Sequence, residues 1–135
     1  MGEPLMLEPE GVAPPIGQYS HVSRVAADEL LFVAGQVALD EEGNLVGEGD
    51  FEAQMRQVFA NLERALAAGG AGFQNVAKLT TYVVGAEHVD EFYRVRRELF
   101  GSLYRDAQYP PNTLVVIDRL VSPVFLLEIE AVAGV

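Results

Sequence analysis

Near its C-terminus the chain reads YPPNTLVVIDRLVSPVFLLEIEAVA over residues 109–133, two strand-like segments interrupted at Val121–Pro123. Residues two apart in a strand share a face. From Phe125 to Val132, one side holds Phe125, Leu127, Ile129 and Ala131, and the other holds Leu126, Glu128, Glu130 and Val132. Two carboxylates therefore share a side with aliphatic neighbours. Leu114 to Ile117 is apolar on both sides, the pattern of a strand covered twice over. Leu30 to Ala34, LLFVA, has the same character. Any fold for this chain must cover both faces of these strands and find a place for Glu128 and Glu130.

The remaining elements follow from periodicity and turn chemistry. Residues 1–18 hold four of the seven prolines, so the chain is expected to start as an extended arm, with 1–15 the arm proper of a single domain over 1–135. Ser20–Ala26 alternates weakly, as a strand does. Leu30–Ala34 is a strand that continues as Gln36–Leu39 after a bend or bulge at Gly35. The loop DEEGNLVGEG leads to Asp50, a good N-cap. Phe51, Met55, Val58, Phe59, Leu62 and Leu66 then form one helical stripe, which Gly69–Gly70 ends. Val76–Val84 is rich in β-branched residues and reads as a strand. A second helix runs from His88 to Tyr104 with Val89, Phe92, Leu99, Phe100 and Leu103 on its stripe. Arg96 falls in the middle of that stripe.

The order ββ, α, β, α, ββ predicts an α+β sandwich. Right-handed crossovers lay both helices on one face of the sheet. The chain has no further helix for the other face, and self-association is the simplest cover. Glu128 and Glu130 would then lie in or beside an interface between copies.

Composition excludes several functions. There are 20 acids against 9 bases, a net charge of −11, and residues 1–52 carry 11 acids and only Arg24 as a base. Such a surface opposes nucleic-acid binding. With no cysteine there is no thiol nucleophile and no thiolate metal site. An acidic N-terminus and the lack of a long apolar run lead us to expect a cytoplasmic protein with no membrane association. Phosphate-binding glycine loops and Gly-x-Ser-x-Gly are absent. His21 beside Ser20 and Ser23 makes no triad. Glu128-x-Glu130 offers too few ligands for a metal.

Three polar features remain. Glu128 on an apolar strand is either a water-activating carboxyl of raised pKa or a structural one that accepts backbone N–H groups or pairs with an Arg. Arg96 needs an anionic partner: Glu128, Glu130, Asp118 or a ligand carboxylate. Tyr19, at the end of the arm, either closes a pocket or makes an ordinary aromatic contact.

Five segments, in order across residues 14–133, resemble the Rid family of YjgF-like reactive-intermediate deaminases, also known as endoribonuclease L-PSP or translation inhibitors. They are Ile16–Ser20, Ala34–Gly35–Gln36, Gln54–Leu66, Val76–Val83 and Leu127–Ala133. The resemblance implies a chorismate-mutase-like fold: a six-stranded mixed sheet with two helices on one face, assembled as a homotrimer with clefts between subunits. The implied activity is cofactor-free hydrolysis of enamines or imines to keto acids and ammonia. In this chain Tyr19, Gly35 and Glu128 match the family's cleft residues, with Gln36 beside Gly35 and Ala34 where the family has Ser. Glu128 is then the catalytic candidate, and Tyr19, Gly35, Gln36, Arg96 and Asn112 the substrate-binding ones.

One departure bears directly on function. The family's Pro-x-Arg-Ser/Thr segment, whose Arg binds the substrate carboxylate, reads Pro110–Pro111–Asn112–Thr113 here. Asn has no charge and no fork, a loss of ~2 kcal/mol or more at such a clamp. Arg96, where many members have Asn, either relocates the clamp or neutralises Glu128. The expected function is a diverged imine or enamine deaminase, or a related hydrolase, acting on a small molecule. Alternatives are a non-catalytic metabolite-binding trimer and an endoribonuclease or translation inhibitor, the last opposed by charge and by the lack of a histidine pair.

Overall fold

The computed structural model describes residues 2–135. Six strands and two α-helices appear in chain order: β1 Leu5–Leu7, β2 Val22–Arg24, β3 Leu30–Gln36, α1 Phe51–Ala68, β4 Val76–Val84, α2 Val89–Leu103, β5 Asn112–Ile117 and β6 Leu127–Gly134. Four strands make the main sheet in the order β3-β6-β4-β5. β6 is antiparallel to both neighbours, and β5 is parallel to β4, so the sheet is mixed.

Two expectations need correction. The six strands do not form one sheet: β1 and β2 pair only with each other. The arm is also more than irregular backbone, because Leu5, Met6 and Leu7 pair with Arg24, Ser23 and Val22. Three residues far from their partner carry no periodic signal of their own, so pairing of this kind is not visible locally. Ser23 Oγ donates to the Ala77 carbonyl at 2.5 Å, which ties the ribbon to the start of β4.

Helix α1 forms where its stripe and caps predict it. Asp50 accepts a hydrogen bond from Ala53 N at 3.0 Å, and the helix ends at Gly69, with Gly70 at φ +78. All six stripe residues are buried. In α2 the buried residues are Phe92, Val95, Arg96 and Phe100, with Leu99 and Leu103 packed on the core's margin.

Alternation along β4 and β6 divides the sheet cleanly. Leu79, Thr81, Val83, Leu127, Ile129, Ala131 and Ala133 face the helices and are buried. Cross-strand partners share a side. The pairs Tyr82–Glu128, Thr80–Glu130 and Phe32–Val132 therefore lie on the opposite, helix-free face. Phe32 there is 77% exposed and Leu30 52%. β5, expected to be covered twice, is a sheet edge in the single chain, and Val115 and Val116 stay partly exposed.

Gln54 is a buried polar residue of α1 that the apolar stripe did not reveal. Its Nε2 donates to the Gly47 and Val124 carbonyls at 3.0 and 2.9 Å, and its Oε1 accepts from Leu126 N at 2.9 Å. One amide thus holds the loop before α1 and the entry to β6. Gln54→Leu keeps the volume and strands three backbone groups, so urea unfolding should show a loss of about 2–4 kcal/mol. A loss below about 0.5 kcal/mol, the size of an ordinary surface change, would contradict this.

Candidate functional site

The expected site residues fall into two groups toward opposite edges of the sheet. The first group stands at β3 and β6. The β3–β6 register shifts between Val33 and Gln36, so the strand bulges at Ala34–Gly35, as the sequence predicts. A Cβ placed on Gly35 would fall on the Glu128 carboxylate. Only glycine allows this close approach of backbone to carboxylate. Beyond the bulge, Asn61 of α1 donates to the Val37 and Leu39 carbonyls at 3.0 and 2.9 Å and fixes the exit of the strand. Gln36 turns its Nε2 back onto the Ala34 carbonyl at 3.0 Å.

Glu128 and Glu130 differ in their surroundings. Glu130 accepts a 2.6 Å hydrogen bond from the Tyr82 hydroxyl, a bond that raises the Tyr82 pKa. Among the described residues Glu128 has no hydrogen-bond or ion-pair partner. Partial burial raises its pKa above the ordinary carboxylate value, and the neighbouring Glu130 adds to the rise. Among the described residues no backbone N–H and no Arg holds this carboxyl.

The second group stands where the arm meets the start of β5. Tyr19 and Asn112 line one groove of about 440 Å³, together with Ser20, Lys78, Pro111 and Thr113. The turn at 16–19 closes on itself: Tyr19 N donates to Gly17 O at 3.0 Å, and Ile16 N donates to the Tyr19 hydroxyl at 3.3 Å. Asn112 Oδ1 accepts from Thr81 Oγ1 at 2.8 Å.

Arg96 lies beneath this turn. It is 2% exposed, and its guanidinium carbon stands 5.2, 5.1 and 5.7 Å from the ring centres of Phe92, Tyr93 and Phe100. Gly17 covers its end, since a Cβ there would sit 2.9 Å from Arg96 Nη2. Burial lowers the Arg96 pKa, and Nε has no hydrogen-bond partner. Within the chain Arg96 pairs with none of Glu128, Glu130 and Asp118. Three π faces, rather than a carboxylate, surround the cation.

The structure thus brings Gly35, Gln36 and Glu128 together, and separately Tyr19, Asn112 and the buried Arg96. Strands β6 and β4 stand between β3 and β5. The groove lined by Gly35 and Gln36 shares no residue with that lined by Tyr19 and Asn112. The sequence reading passed over Thr81 and Lys78. A polar residue at 81 on the helix-facing side of an apolar strand was the available signal for the first. The second, on the open face, carried none beyond its charge. Among the described residues no three His, Asp or Glu side chains converge as metal ligands, and no helix is long and apolar enough to cross a membrane.

With this geometry in view, comparisons with known proteins agree with one another. A family profile described as Endoribonuclease L-PSP matches residues 10–135. A RutC family protein of Synechocystis sp. is 36% identical over 120 residues, covering 88% of this chain and 87% of that one. A protein of Acinetobacter baylyi named 3-aminoacrylate deaminase RutC is 32% identical over 127 residues, 94% of each chain. The crystal structure of a conserved Rid-family protein of Yersinia pestis superimposes with a TM-score of 0.86 at 34% identity, covering 98% of this chain and 99% of that one. Two helices on a mixed sheet, a carboxylate beside a glycine bulge, and matches over nearly the whole length lead to one conclusion: the chain belongs to the YjgF/Rid family, the endoribonuclease L-PSP group.

Proposed function

We propose that this protein is a hydrolytic deaminase for small imines or enamines, working in a cleft that two copies of the chain build together in a homotrimer. The observation that carries the reading is the pairing of Gly35 with a Glu128 of raised pKa, partner-free among the described residues, on an open face that also exposes Phe32 and Leu30. The relative named 3-aminoacrylate deaminase RutC supports the reaction class.

In the proposed arrangement the Gly35–Glu128 edge of one copy faces the Tyr19–Asn112 groove of its neighbour. Water attacks the imine carbon while the Glu128 carboxylate takes its proton. The carbinolamine then receives a proton on nitrogen and expels ammonia as the C–N bond breaks and the carbonyl forms. In sum, C=NH and water become C=O and ammonia. An enamine first takes a proton on carbon to become the imine. A carboxyl with a raised pKa suits both proton acceptance and return. The absence of a side chain at Gly35 leaves the Glu128 carboxylate the space it occupies beside the bulge. A metabolite-binding trimer without turnover is the second reading, favoured by Asn112 where the family clamp carries charge.

Two experiments test the proposal. Glu128→Gln should lower kcat for ammonia release by about 10²–10⁴, the usual worth of a general base. The base works deprotonated, so wild-type kcat/KM should fall as pH drops through a value above the ordinary Glu figure of 4.5, and the variant should lose that limb. An unchanged kcat would remove Glu128 from the catalytic role, and a wild-type protein that releases ammonia no faster than the uncatalysed reaction would leave only the binding reading. For the shared cleft, Glu128→Gln and Asn112→Ala chains, each impaired alone, should regain activity when unfolded and reassembled together. No recovery in mixed assemblies would show that the two groups do not serve one site.

A further inference from the structure

The groove at Asn112 has an electrostatic character of its own. Thr81 is 1% exposed on the helix-facing side of β4, and its hydroxyl has one hydrogen to give. That hydrogen goes to Asn112 Oδ1 at 2.8 Å. The acceptor end of the amide is thereby occupied from within the core, and the NH₂ end is what remains for the groove. Arg96 offers no N–H fork to the groove, because it is 2% exposed and enclosed by three aromatic rings and the Gly17 backbone. Lys78 is the one Lys or Arg on the groove's wall. Burial lowers its pKa, with Glu130 opposing from the same face of the sheet, and its Nζ, a point charge without the Arg fork, donates to Thr113 Oγ1 at 2.6 Å. Across the whole chain a net charge of −11 adds a repulsion against anions.

We infer that this groove selects an uncharged carbonyl, as in a carboxamide or ester, over a carboxylate, and that Thr81 is the positioning residue that turns the Asn112 NH₂ toward the ligand. A carboxylate entering here sheds water and finds no forked cation in exchange. A neutral carbonyl sheds less and meets a neutral donor. The inference rests on the proposed cleft and names the substrate class of that same site: imines or enamines next to an amide or ester, not next to a free acid.

The test titrates two product-like probes, 2-oxobutanamide and 2-oxobutyrate, onto the assembled protein by calorimetry. The amide should bind about tenfold tighter than the acid, the effect of one well-placed hydrogen bond set against an unmatched charge. Thr81→Val, nearly isosteric, should remove most of that preference by weakening the amide alone, and Thr81→Ser should restore it. Asn112→Arg should reverse the preference, and adding Thr81→Val to it should leave the reversed ratio unchanged. Preference of the wild type for the acid, or equal weakening of both probes by Thr81→Val, overturns the inference. If neither probe binds while Glu128-dependent ammonia release persists, the inference alone falls. If neither binds and Glu128→Gln has no effect on turnover, the proposed cleft falls with it.

Discussion

The alternation of β6 governs the rest of the structure. Leu127, Ile129, Ala131 and Ala133 point one way and complete a core with α1 and α2. Glu128, Glu130 and Val132 point the other way, across from Tyr82, Thr80 and Phe32. A one-residue slip would exchange the two sets and place two carboxylates in the core, so the register is fixed strongly. The same register brings Glu128 against the Gly35 bulge. Burying a side chain such as Phe32 is worth about 1.5–3 kcal/mol, and a lone chain forgoes that at Phe32 and in part at Leu30. The helix-free face therefore carries Glu128 and, in a single copy, leaves Phe32 and Leu30 uncovered.

Arg96 illustrates how environment redirects a residue type. A buried cation without a partner is costly. Phe92, Tyr93 and Phe100 meet the guanidinium with their faces, an interaction worth about 2 kcal/mol or more when desolvated. The arm completes the enclosure at Gly17, where an added Cβ would sit 2.9 Å from Arg96 Nη2 and displace the guanidinium. The cation thus helps to seat the turn that carries Tyr19, and the groove beside it is lined by Asn112 together with Ser20, Lys78 and Thr113.

Local periodicity made much of this legible. The α1 stripe, its Asp50 cap and glycine end, the bounds of β4, the bulge at Gly35 and the burial of Arg96 all follow from spacing. Arg96 was expected to meet an anion. Its aromatic surroundings come from the turn-to-turn packing of α2 on itself, where Phe92 and Phe100 stand four residues to either side. The split of six strands into four and two was hidden, because β1 and β2 are short and pair only over distance. Gln54 and Thr81 escaped a reading that sought apolar residues on buried faces. Their partners, at Val124, Leu126 and Asn112, are set by tertiary contact. Asn112 itself was visible as a departure from the family pattern, but the hydrogen bond that orients it was not.

The account turns on whether the open sheet face meets another copy. Sedimentation equilibrium at micromolar concentration measures this most directly. The account gives a particle of three chains, three times the 14.7 kDa of one, and a shift toward single chains when Phe32→Asp places a charge on that face. A wild-type protein that sediments as a stable 14.7 kDa particle contradicts it.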